Sequence, residues 1–234
     1  MSFIRFMFLT FSFFFSASFA YGKGSVHFIS LGRDCQVGLE LIAANLRPAA
    51  FPLDWVASDF EGVIKAFEDD FEHFLDPLYL TYHPYQIYNS YYGFGYNHCF
   101  PIKDVEFIQH LDKGYAGIHR ENFLDYLPSV QSTYKRRIRR LNNLLIRHEA
   151  IVFIRTHIVP SQAAHFVTML SGKYPCLPFL LVVVHERADL IGDWHIDKVL
   201  NFYASKRSGY ADFWERSEWN NILPQALNAA LELK

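Results

Sequence analysis

Cys35 closes the segment Ser30-Leu31-Gly32-Arg33-Asp34-Cys35, in which a short apolar run passes through a glycine directly into a thiol. The residues that follow have helical spacing, with Val37, Leu41 and Ala44 on one stripe, and Asp34 is a residue type suited to cap a helix start. This reading puts Cys35 at the first helical position. Backbone N–H groups and the positive end of the helix dipole favour thiolate over thiol there, which is what a nucleophile needs. The opposing reading is an inert cysteine packed as a small hydrophobe.

A thiol nucleophile needs a base within hydrogen-bond reach and a third group to hold that base. Imidazole titrates near neutrality and is the usual choice, but the chain has 11 histidines. Three stand out by position. His98 lies in Tyr96-Asn97-His98-Cys99-Phe100-Pro101, and His157 and His185 each follow an apolar run. Asp54 sits between apolar neighbours in Phe51-Pro52-Leu53-Asp54-Trp55, so its carboxylate should be partly buried and must find a partner. A histidine partner would make Asp54 the orienter of a catalytic imidazole, and an arginine partner would make it half of a salt bridge.

The elements that must position these residues can be read from the apolar runs at 26–31, 150–154 and 179–184, which have the length and β-branched content of buried strands. Residues 161–174 between the last two are helical in pattern, with Ala164, Val167 and Leu170 on one face. Strand, helix and strand at this spacing make a βαβ unit. The chain is therefore expected to be α/β: a three-layer domain with a mostly parallel sheet and helices on both faces. Residues 198–203 would add a strand and residues 60–71 a helix. Residues 78–100, dense in tyrosine, read as long loops or irregular strands, and 214–233 as a closing helix or a pair of helices interrupted near Pro224.

Ligands of an open parallel sheet bind beyond the carboxyl ends of its strands. The residues delivered there are Arg33, Asp34 and Cys35 after the first run, Arg155 and His157 after the second, and His185, Glu186 and Arg187 after the third. Asp34, Arg155, His157 and His185 are accordingly the expected substrate contacts.

Residues 1–20 stand apart. Arg5 precedes an apolar run over 6–15, and Ala17, Ser18 and Ala20 end it with small residues, the pattern of a secretory signal peptide cut after Ala20. Export to the periplasm or the extracellular space is expected, with residues 21–234 forming one domain. The net charge is −2, which gives no global field for nucleic acid. Any basic site must be local, and Lys135-Arg136-Arg137-Ile138-Arg139-Arg140 is one: a helix with a strongly cationic face. Solvation of that face is one reading; peripheral contact of Lys135, Arg136 and Arg139 with an anionic surface is the other. Three cysteines, Cys35, Cys99 and Cys176, lack the paired spacing of a zinc site, so neither a metal nor another cofactor is expected. Cys99 and Cys176 could pair as a disulfide, leaving Cys35 over. Phosphate-loop, dinucleotide, zinc-protease and serine-elbow motifs are absent from the sequence.

In its ordered motifs the chain resembles a family of papain-like cysteine peptidases. The carriers are Ser30-Leu31-Gly32-Arg33-Asp34-Cys35 before a helix, Phe51-Pro52-Leu53-Asp54-Trp55, the acidic-aromatic stretch Asp69-Asp70-Phe71-Glu72-His73-Phe74-Leu75, His98-Cys99-Phe100, the basic helix, and a strand ending in Arg155. The resemblance implies Cys35 as nucleophile and His98 as base, with Asp54 the first carboxylate to consider. Two positions depart from the family pattern: Leu53 stands for phenylalanine, and Cys99 stands for the aspartate that follows His98. The strand, glycine turn and nucleophile also resemble SGNH-type esterases with cysteine in place of serine.

Together these readings lead to an exported cysteine hydrolase acting on a peptide or an ester through a Cys-His pair. The alternatives are a non-catalytic protein whose strand-end arginines hold an anionic glycan or phosphate, and an SGNH-like esterase or transferase.

Overall fold

The computed structural model describes residues 25–106, 116–190, 192–205 and 216–233. The signal peptide expected over residues 1–20 lies outside the described residues.

Four parallel strands form the main sheet in the order β1-β8-β9-β10: β1 (Val26–Ser30), β8 (Ala150–Thr156), β9 (Phe179–His185) and β10 (Val199–Tyr203). Every residue of β8 and β9 is buried, as unbroken apolar runs in a doubly covered parallel sheet require. Side chains alternate between two cores. Phe28, Val152, Ile154, Leu180, Val182 and Val184 face α1 (Gln36–Ala43) and α5 (Arg216–Leu231) through Val37, Leu41, Trp219, Ile222 and Ala226. Ile29, Phe153, Phe179, Leu181 and Val183 face α2 (Phe60–Glu68), α3 (Leu127–Leu145) and α4 (Pro160–Lys173) through Phe60, Phe67, Leu141, Leu145 and Phe166. The expected three layers are present.

Residues 78–100 are more regular than their composition suggests. β3 (Leu80–His83), β4 (Gln86–Asn89) and β5 (Phe94–Tyr96) form an antiparallel sheet with the two-residue β2 (Ala57–Ser58) in the order β2-β5-β4-β3. Aromatic packing fixes it: Phe74 meets Phe71, Phe94, Tyr96 and Tyr134, so the tyrosines serve as core. Gly62 on α2 allows the close approach, since a Cβ there would lie 1.8 Å from the Tyr92 carbonyl oxygen. A further pair, β6 (Ile102–Glu106) and β7 (Ala116–His119), is antiparallel. At the C-terminus one helix, α5, runs through Pro224 without interruption, because the buried stripe Trp219, Ile222, Leu223, Ala226 and Ala230 outweighs one lost hydrogen bond. No helix of the described residues is long and apolar enough to cross a membrane.

Candidate active site

β1 continues past Ser30 through the Leu31 amide, which bonds the Ile154 carbonyl at 2.9 Å, and then turns sharply. Gly32 and Arg33 both adopt left-handed backbone, with φ of 81° and 74°. Glycine is required at 32 twice over, because a Cβ would also stand 2.6 Å from Ser58 Oγ. A non-glycine residue in this region costs about 1 kcal/mol or more, so Arg33 must be held from outside. Ser58 does so: its Oγ accepts the Arg33 amide at 2.9 Å, and its amide donates to the Arg33 carbonyl at 3.3 Å.

Arg155 fastens the same turn from β8. Its Nη1 donates to the Leu31 carbonyl and to Ser58 Oγ, both at 2.8 Å, and its Nη2 donates to the Ser58 carbonyl. Burial draws its pKa down to about 9, against the opposing pull of Asp34. Arg155, expected as a ligand contact, is thus occupied in joining the main sheet to β2.

The helix begins one residue later than its sequence suggests. Cys35 is the N-cap residue, with helical φ and ψ of −82° and −9°, and its carbonyl accepts the Leu39 amide at 3.0 Å. Asp34 still caps locally, its Oδ1 accepting the Gln36 amide at 2.9 Å. Cys35 is half-buried. None of the three cysteines is in a disulfide: Cys176 is exposed and Cys99 bonds Tyr134.

Three strand ends converge beside this turn. Arg33 Nη1 lies 2.8 Å from His157 Nδ1, Arg33 also faces the Asp34 carboxylate at 3.6 Å, and His157 Nε2 lies 3.3 Å from Glu186 Oε1. A guanidinium can only donate, so Nδ1 of His157 is the acceptor and Nε2 carries the ring hydrogen. His185 lies behind them, buried against Trp194 with ring centroids 5.3 Å apart. Burial pulls its pKa down to about 4, helped by the neighbouring His157, so it is a neutral imidazole at pH 7.

Asp54 lies against α1. A Cβ at Gly38 would lie 3.0 Å from the Asp54 carbonyl oxygen, and Gly38 shares a helix face with Cys35 three residues before it. The Asp54 side chain is fully buried and its Oδ2 accepts from Arg47 Nε at 2.8 Å, Arg47 Nη2 at 2.7 Å and the Phe51 amide at 2.7 Å. Burial raises its pKa, opposed first by the Phe51 amide and then by Arg47. The partner of Asp54 is therefore an arginine.

The Arg47 guanidinium in turn lies over the Trp55 ring, 5.4 Å from its centroid, and His98 meets the same ring edge-on at 6.2 Å. His98 is exposed at the rim of a hollow of about 410 Å³ that Trp55, Cys99, Thr133, Tyr134 and Arg137 help to line. Desolvation lowers its pKa, and no carboxylate lies within ion-pair distance of it among the described residues. Cys99 gives no substitute, because burial raises its thiol to about 11 and its sulfur bonds Tyr134 Oη at 2.6 Å.

Sequence reading missed Arg47, whose only signal is that it lies a few residues before Asp54. It also missed Tyr134, which occupies an apolar position of the basic helix. Among the described residues no cluster of His, Cys, Asp or Glu could hold a metal ion.

The fold and this edge define an α/β protein with a thiol on a strand-to-helix turn. The chain belongs to the family described as "Putative papain-like cysteine peptidase (DUF1796)", whose model matches residues 26–187. That match runs from the start of β1 to just beyond β9 and includes Cys35, Asp54, His98, His157 and Glu186, which supports a peptidase-like reading. Neither curated proteins nor solved structures give a match.

Proposed function

We propose that the protein is an exported cysteine hydrolase in which Cys35 attacks a peptide or ester carbonyl and His98 is the base. The observation that carries this reading is Cys35 itself, a half-buried thiol at the N-cap of α1, directly after a left-handed turn fastened by Ser58 and Arg155. In the proposed reaction the Cys35 proton passes to imidazole and the sulfur bonds the carbonyl carbon. The amides at the start of α1 stabilise the oxyanion, the leaving group takes the proton, and water then cleaves the thioester. His98 suits the role because desolvation favours its neutral, proton-accepting form. Asp54 is a positioning residue here: it anchors Arg47, Arg47 covers Trp55, and Trp55 flanks His98.

A second base is favoured by one observation. His157 has a carboxylate, Glu186, 3.3 Å from Nε2, but its Nδ1 is occupied by Arg33. Using Nδ1 requires Arg33 to swing away. The Arg33 and His157 pair also supports the non-catalytic alternative, an anion held at the strand ends. Export rests on the sequence of residues 1–20.

The test is hydrolysis of a panel of fluorogenic peptides and aryl esters by the wild type and by Cys35→Ala, His98→Ala and His157→Ala. Loss of activity in Cys35→Ala and in His98→Ala, with His157→Ala less affected, supports the proposal. Turnover unaffected by Cys35→Ala sinks it, and retained binding of inorganic phosphate or an acidic glycan by Cys35→Ala, lost in Arg33→Ala, supports the binding alternative.

A further inference from the structure

The solvent face of α3 carries a row of cations. Positions 132, 136, 139, 143 and 146 recur at spacings of four and three, so they share one side of the helix, with Lys135 and Arg147 beside them. Lys135, Arg136, Arg139 and Arg147 are exposed, and none is within ion-pair distance of an acidic group among the described residues. Shallow hollows of about 680 and 370 Å³ run along this side, Arg136 and Arg139 lining both. On a chain of net charge −2 this is a local concentration of positive charge.

The helix cannot roll to insert its apolar face, since Tyr134, Leu141, Leu144 and Leu145 are fixed in the core. Its ends nevertheless carry apolar side chains in water. Ile146, on the cationic side at the C-terminal end, is 64% exposed, and Leu124, just before the helix, is 51% exposed.

We propose that this face docks on an anionic phospholipid surface, with Lys135, Arg136 and Arg139 over the headgroups and Ile146 as a shallow apolar contact. A flat anionic layer complements a row of cations along a rigid helix about 28 Å long. The apolar end distinguishes a bilayer from a nucleic acid or an acidic glycan, neither of which offers Ile146 a partner. Nor is there an aromatic residue among the exposed side chains of this face on which a base could stack. The inference is independent of the chemistry at Cys35.

Co-sedimentation of the full chain tests it, using vesicles of phosphatidylcholine alone and of phosphatidylcholine with an equal amount of phosphatidylglycerol. All chains compared share residues 1–20, so the difference between wild type and variant in the increment produced by phosphatidylglycerol isolates the helix. Each cation near the surface should contribute about five-fold, so the triple variant Lys135→Glu, Arg136→Glu, Arg139→Glu should lose the increment, as should wild type at high salt. Ile146→Asn should weaken it a few-fold, while the control Lys103→Glu, a reversal in β6, should leave it nearly intact. A triple variant that keeps the full increment overturns the proposal. So does tighter binding to duplex DNA or heparin than to the mixed vesicles, with Ile146→Asn indistinguishable from wild type.

Discussion

Arg33 donates from Nη1 to Nδ1 of His157 across 2.8 Å, tying the turn after β1 to the end of β8. Both residues have left-handed backbone, with φ of 74° and 54°, so the contact joins two strained strand ends. It also fixes the His157 tautomer and keeps the Nδ1 lone pair away from any other proton donor. The Arg33 side chain is 40% exposed, so this cap on Nδ1 faces solvent.

Removing the cap should expose that nitrogen. Arg33→Met is expected to raise the rate at which diethyl pyrocarbonate modifies His157, followed by mass spectrometry of the peptide. His185, buried behind it, should remain slow in both proteins. An unchanged rate at His157 would mean that the guanidinium does not shield Nδ1 in solution.

The three thiols should separate by reactivity. Cys176 is exposed and Cys99 is held protonated to about pH 11, so iodoacetamide at pH 7.5, a moderate alkylation condition, should modify Cys176 and spare Cys99. A catalytic Cys35 should react at least as fast as exposed Cys176. If Cys35 lags behind Cys176 by an order of magnitude or more, its proposed role as nucleophile loses its main support.

Glycine replacement probes the two close approaches. Gly32→Ala should destabilise by about 1–3 kcal/mol, because φ of 81° and the 2.6 Å approach to Ser58 Oγ both oppose a methyl group. Gly62→Ala should cost about 3 kcal/mol or more, since the 1.8 Å contact is with backbone and cannot be relieved by rotating a side chain. Urea unfolding of both variants gives the comparison. Gly172→Ala, with open space around it on α4, should be neutral or stabilising.

The parallel sheet was legible because β8 and β9 are buried on both faces and so read as unbroken apolar runs, and the βαβ spacing left few ways to connect them. The antiparallel sheet was not. Its strands are only two to four residues long, and their tyrosines and phenylalanines pack against α2 and α3 in contacts distant in sequence. Asp54 shows the same limit at the site. Its apolar flanks predict burial and the need for a partner, yet they cannot choose between imidazole and guanidinium; the fold chose Arg47. For His157 and Glu186 the strand-end rule names both positions, but their pairing depends on the register of β8 with β9.

Histidine burial makes the fold acid-labile. The pKa of His185 falls from 6.5 in the unfolded chain to about 4 in the fold, so between these values the unfolded chain binds the proton and the folded protein does not. Stability from this group is therefore complete above about pH 6.5 and is lost as pH falls toward 4. At about 1.4 kcal/mol for each pKa unit, the full loss is on the order of 3 kcal/mol. His119, buried and likewise lowered, acts in the same direction. His185→Gln removes the titration while keeping a polar side chain of similar reach. Its unfolding free energy, measured by urea titration at a series of pH values, should fall less steeply than that of the wild type between pH 6.5 and 4. Parallel curves over that window would show that the imidazole is hydrated and able to charge in the folded protein, contrary to its position against Trp194.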